Sequence, residues 1–155
     1  MSGKRKETGM PKYFLLSVLL VFLLSVFAIG CATGARGPSD EEQIASLLNT
    51  WKEGILAKDV EKIMTTYSEK FAHDGYEYEA KDKAALREYI EWSIEEGNFE
   101  GVEVDLSGAE ISIEDGSATI YPIDYANWQG SITIELSAAK EKGRWLFTDM
   151  ALEGL

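Results

Sequence analysis

Apolar residues recur along this chain at three successive spacings. Residues 13–29, YFLLSVLLVFLLSVFAI, form a run without a single charge. From residue 40 the spacing becomes that of amphipathic helices. Ile44, Leu47, Leu48, Trp51, Ile55 and Leu56 share one stripe, opened by Ser39 and Glu42 in a capping-box pattern. Asp59 can cap a second, shorter helix with Val60, Ile63, Met64 and Tyr67 inward. A third spans Lys83 to Glu96, with Leu86, Tyr89, Ile90 and Ile94 inward and Gly97 as its stop. Beyond Gly101 the period is two. Val102, Val104 and Leu106 alternate with polar residues, as do Ile111 and Ile113 up to the Asp115-Gly116 turn. A strand from Ser117 to Tyr125 carries Pro122, which marks a bulge or an edge. Asn127–Gly130 turns the chain into a strand with Ile132, Ile134 and Leu136. Glu141-Lys142-Gly143 turns it again into a last strand from Arg144 to Leu152.

Helices first and strands afterwards, joined by short turns, predict an α+β domain: three helices packed on an antiparallel sheet. At 155 residues there is room for one domain behind the apolar leader. The expected boundaries are 1–30 for the leader, 31–39 (CATGARGPS) for a flexible tether, and 40–155 for the domain.

Charge divides the same way. Residues 1–30 hold Lys4, Arg5, Lys6 and Lys12 against Glu7; the remainder has eleven basic and 26 acidic residues, or −15. Such a domain repels phosphate backbones and anionic headgroups, so neither nucleic acid nor a charged membrane surface is an expected partner of its face. The plain reading of the charge is a well-hydrated surface. One cysteine excludes an internal disulfide, and one histidine excludes a histidine-rich metal site. No cofactor motif or metal-ligand spacing is present, and Asp105, Glu110 and Glu114 fit a solvated strand face.

Basic residues, the apolar run and then Ala28-Ile29-Gly30-Cys31 have the layout of a secretory signal with its cleavage site. The small residues at 28 and 30 before Cys31 resemble the lipobox of bacterial lipoproteins. The resemblance implies a diacylglycerol on the Cys31 sulfur, cleavage before it, and lipid anchoring of the domain at the cell envelope outside the cytoplasm. Ala32 is not acidic, which resembles the signal for onward sorting to an outer membrane where the host has one. Met10-Pro11-Lys12 offers an alternative start. The competing reading is an uncleaved spanning anchor, since 17 residues lie near the spanning minimum, but it leaves Cys31 unexplained.

Three stretches, AKDVEKIMTTYSEKFAHDG (57–75), KDKAALREYI (81–90) and GRWLFTDM (143–150), resemble in order and spacing the nuclear transport factor 2-like superfamily. This superfamily includes SnoaL-like cyclases and ketosteroid isomerases, and the resemblance covers residues 40–153. It implies a cystatin-like cone, in which a curled sheet and a covering helix leave a recess. Seventeen aromatics supply candidate liners of such a recess or of an interface: Trp51, Tyr67, Trp92, Tyr121, Tyr125 and Trp128. Trp51 and Tyr67 continue apolar helical stripes and read first as core.

The ketosteroid isomerase resemblance also implies a proton-shuttling acid near Asp74 and a neutral acid near Glu135, with Trp51 where a tyrosine is expected. Glu135 alternates with Ile134 and Leu136, so it faces away from the core if those two face it. His73, beside Asp74 on an expected strand, would point to the opposite face and reads as a rim residue. Three functions follow as expectations. The first is a non-enzymatic envelope module binding a small apolar or aromatic ligand or a protein. The second is an isomerase- or cyclase-like enzyme using Asp74. The third is a structural homodimer through the sheet, with Tyr125, Trp128, Ile132 and Ile134 at its interface.

Overall fold

A computed structural model of the chain describes residues 37–73 and 81–153. The leader, Cys31 and Asp74 lie outside the described residues. Helix α1 spans Asp40–Ala57 and begins with the expected capping box: Ser39 Oγ accepts from the Glu42 amide, and the Glu42 carboxylate accepts from the Ser39 amide at 2.7 Å. Lys58, in the left-handed conformation (φ 55°), ends α1. Asp59 then caps α2, Val60–Met64, by accepting from the Lys62 amide. The two helices meet at Gly54. A Cβ there would lie 2.8 Å from Ile63 Cγ1 and 3.0 Å from the Ile63 nitrogen, so glycine permits the close approach. Helix α3, Lys83–Glu95, starts at Asp82, whose carboxylate accepts from the Ala84 and Ala85 amides.

Five strands follow: β1 Glu103–Asp105, β2 Glu110–Glu114, β3 Ser117–Asn127, β4 Gly130–Glu141 and β5 Arg144–Glu153. All their pairings are antiparallel. β3 is the axis of the sheet. One of its edges pairs β2 at one end and β1 at the other, and its second edge pairs β4, which pairs β5. The register breaks between Ile120 and Ile123, where Pro122 sits, as expected of a proline that cannot donate to a ladder. The Asp115-Gly116 and Lys142-Gly143 turns both place their two residues at positive φ, which suits the twist of tight hairpins.

Inward positions of β3, β4 and β5, among them Ile120, Ile123, Ile134, Leu136 and Phe147, meet Ile44, Leu48, Trp51 and Ile55 of α1 in one core. Three expectations need correction. Leu56, placed inward by its spacing, is exposed, because it lies in the last turn of α1 beyond the sheet side of the helix. Tyr89, likewise placed inward, is 38% exposed, because its face borders an open cavity rather than packed side chains. The expected strand after α2 is reduced, among the described residues, to a single parallel bridge between Tyr67 and Phe147. Phe147 still organises this segment, accepting from the Ser68 amide at 2.8 Å and donating to the Thr66 carbonyl at 2.9 Å. His73 is therefore not on a strand, and the opposite-face argument for it does not apply.

Asp40 fastens the start of α1 to the sheet by accepting hydrogen bonds from Lys140 Nζ and Trp145 Nε1. The Lys140 bond, then the Trp145 bond, hold its carboxyl below its ordinary value of 3.8. A depressed folded-state pKa contributes stability above the unfolded value, and that stability is lost as pH falls through the folded value. Asp40→Asn is therefore expected to shrink the drop in melting temperature on acidification below pH 3.8, without steepening it above that value. Thermal unfolding across that range checks this.

Candidate functional site

The concave side of the sheet does not close fully on the helices. It leaves a cavity of about 560 Å³ between α1, α3, the loop before β1, and strands β3, β4 and β5. This lies within the usual range for small-molecule sites, roughly 300–1,000 Å³. The floor is aromatic and aliphatic: Trp51 and Tyr67, each 2% exposed, with Leu86, Ile90 and Ile134 beside them. The open side is polar and uncharged, formed by Asn98, Asn127, Gln129 and Ser131. A small network holds that rim. Asn127 Nδ2 donates to the Asn98 carbonyl at 2.9 Å, Gln129 Nε2 donates to Asn98 Oδ1 at 3.2 Å, and the Gln129 amide donates to Asn127 Oδ1. The β3–β4 turn is thereby stitched to the loop that follows α3.

Within the floor, Trp51 Nε1 donates to Tyr67 Oη at 3.0 Å. Burial pushes the Tyr67 hydroxyl pKa far up, only partly offset by that bond, so the phenol stays neutral. Tyr125, half-buried on the wall, is pushed up to about 12, by burial first and by the Tyr89 charge second. Ser93 of α3 lines the same space; its Oγ is buried and has no hydrogen-bond partner among the described residues. The described lining holds no Asp, Glu, Lys, Arg or His.

The sequence candidates divide. Trp51, Tyr67 and Tyr125 line the cavity, and the first two belong to the core as well. Trp92, Tyr121 and Trp128 do not line it. Trp92 is exposed and tilts against Tyr89 with centroids 5.8 Å apart. Trp128, 67% exposed, caps the turn by donating to the Gly97 carbonyl. Tyr121 lies on the convex face of the sheet and donates to Glu153 at 3.0 Å; that bond and the Glu153 charge raise its pKa. Ile132 and Ile134, expected at a sheet interface, point with Tyr125 into the cavity.

Glu135 also lies on the convex face, since its neighbours Ile134 and Leu136 are both buried. It therefore cannot serve as a neutral acid inside the cone, which corrects its candidacy. His73 is not a freely exposed rim residue. Its side chain is only 10% exposed, with Nδ1 3.3 Å from Asp149 of β5, and it does not line the cavity. Among the described residues there is no group of three or more His, Cys, Asp or Glu that could hold a metal ion. No described helix is long and apolar enough to cross a membrane.

Sequence reasoning missed Ser93, Asn98, Asn127, Gln129 and Ser131. For Ser93 a signal existed: it stands seven residues after Leu86 and three after Ile90, at a core phase of α3 where an apolar residue is expected.

No family model matches the chain, and no curated protein matches its sequence. Solved structures do match its shape. A protein of unknown function with a cystatin-like fold from Nostoc punctiforme is 20% identical, with 76% of this chain and 94% of that chain covered and a TM-score of 0.60. A nuclear transport factor 2-like protein of unknown function from Pseudomonas putida is 13% identical, with 77% and 90% covered and a TM-score of 0.60. A de novo designed protein with a curved β-sheet is 15% identical, with 72% and 99% covered and a TM-score of 0.56. The domain thus has the nuclear transport factor 2-like, or cystatin-like, cone fold, with helices packed on a curved antiparallel sheet. That a designed sequence reaches the same shape underlines that this fold by itself assigns no activity.

Proposed function

We propose that the protein is a lipid-anchored lipoprotein of the bacterial cell envelope whose cone binds a small, mainly apolar ligand without transforming it. The cavity carries the ligand part of this reading: about 560 Å³, apolar at the floor, polar but uncharged at the opening. The enzyme alternative asks for an acid on the wall. Glu135 faces the other way, and Trp51, where a tyrosine was expected, spends its one donor on Tyr67. Self-association through the convex face would set Asp124, Glu135 and Glu153 against their own copies, and like charges there oppose docking. The anchor rests on Ala28, Gly30 and Cys31, and two or three acyl chains at about 0.8 kcal/mol per buried methylene hold a protein stably at a bilayer.

One experiment addresses both parts. The full chain is extracted in mild detergent and weighed intact under native and then denaturing conditions. The expected result is a covalent mass starting at Cys31 with diacylglycerol attached, and a small molecule released on denaturation. A chain that keeps residues 1–30 defeats the anchoring part. A cavity that carries nothing and takes up no apolar compound defeats the ligand part.

A further inference from the structure

Ser93 stands out in the cavity wall. It is 1% exposed and sits in the last turn of an amphipathic helix, on the same face as Leu86 and Ile90. Buried hydroxyls normally find a partner, and one left unmade costs stability. Among the described residues Ser93 Oγ is the buried side-chain polar atom that lacks one. An alanine at this position would form helix better and bury no polar group. A second polar group lies in the floor of the same cavity. Tyr67 Oη accepts from Trp51, which leaves the phenolic proton available to donate.

We infer that Ser93 is the polar anchor of the cavity, and that the ligand is an uncharged apolar molecule carrying a hydroxyl or carbonyl oxygen. This rests on the ligand-binding reading above. Among the described residues the lining contributes hydroxyls from Ser93, Ser131, Tyr67, Tyr89 and Tyr125 and amides at the rim, and no Asp, Glu, Lys, Arg or His. A carboxylate or ammonium taken into this space would lose its hydration without gaining a counter-charge, whereas a neutral oxygen would lose little and complete the Ser93 bond. The apolar floor supplies the non-directional part of the affinity, and Ser93 fixes which end of the molecule lies deepest.

The test uses the full chain in phosphatidylcholine nanodiscs, with empty discs as the reference and free probe concentrations measured. Three probes share one ring system: naphthalene, naphthol and naphthoate. The Trp51 indole N–H resonance reports entry into the cavity. Naphthol is expected to bind about tenfold more tightly than either naphthalene or naphthoate. Ser93→Ala should bring naphthol to the affinity of naphthalene without weakening naphthalene binding. Naphthol binding that is indifferent to Ser93→Ala, or naphthoate binding as tightly as naphthol, overturns the Ser93 anchor while leaving the cavity a binding site. Failure of every probe to move Trp51 overturns the anchor and the ligand-binding reading together.

Discussion

Phe147→Ala is expected to cost about 3–5 kcal/mol of folding stability, as for other fully buried aromatics cut to alanine. Domains of this kind have roughly 5–15 kcal/mol in total, so the variant should be close to unfolded at moderate temperature. The reason is the number of parts that meet at this residue. Its ring has no exposed surface and stands edge-on to Tyr67 at 5.7 Å, and Tyr67 stands edge-on to Phe71 at 4.9 Å. Its backbone holds Thr66 and Ser68, so the chain leaving α2 is registered on β5 here, and Ala72 donates to the Thr148 carbonyl further along. Removing the ring leaves those backbone bonds in place and empties the space that fixes the Tyr67 ring, which is part of the cavity floor. A urea titration gives the loss directly as a shift in midpoint at constant slope. Phe147→Leu, which keeps most of the volume, should lose less than half as much. Equal losses for the two variants would show that ring packing is not what holds this joint.

The same residue shows what the sequence could tell and what it could not. Phe147 lies in GRWLFTDM, and its place after a Lys-Gly turn identifies that stretch as the last strand of the sheet. The helix starts were equally legible, because Ser39, Asp59 and Asp82 act through bonds only two or three residues long. Asp82 itself was not singled out, although it caps α3 as Asp59 caps α2. Strand phase correctly offered an outward Glu135. The failures share a cause. Periodicity says which side of an element faces inward, but not whether that side meets packed atoms or open space. Tyr89 looked like core and faces a cavity edge; Ser93, which drew no attention, is a wall of the cavity. Trp92 and Tyr121 lie on exposed faces of α3 and β3, and Trp128 lies in a turn, so none of the three reaches the cavity.

Trp51→Ala should approach the Phe147 variant in cost, at about 3–5 kcal/mol, and should also enlarge the cavity. The indole is 2% exposed, sits at the core phase of α1, and forms part of the floor. Trp51→Phe separates its two contributions. Phenylalanine fills most of the ring space but cannot donate, so the buried Tyr67 oxygen loses the bond from Nε1. Leaving that oxygen unmatched should cost about 1–3 kcal/mol. The remaining difference between the Ala and Phe variants is the volume of the ring. If Trp51→Phe is as stable as the native chain, the indole–phenol bond contributes nothing to the fold, and the tryptophan is present for its bulk alone. If instead it costs as expected, the bond that stabilises the floor is also the one that leaves Trp51 with no donor for chemistry. Trp51, where the isomerase resemblance would place a tyrosine, would then be fully used in holding the cavity floor.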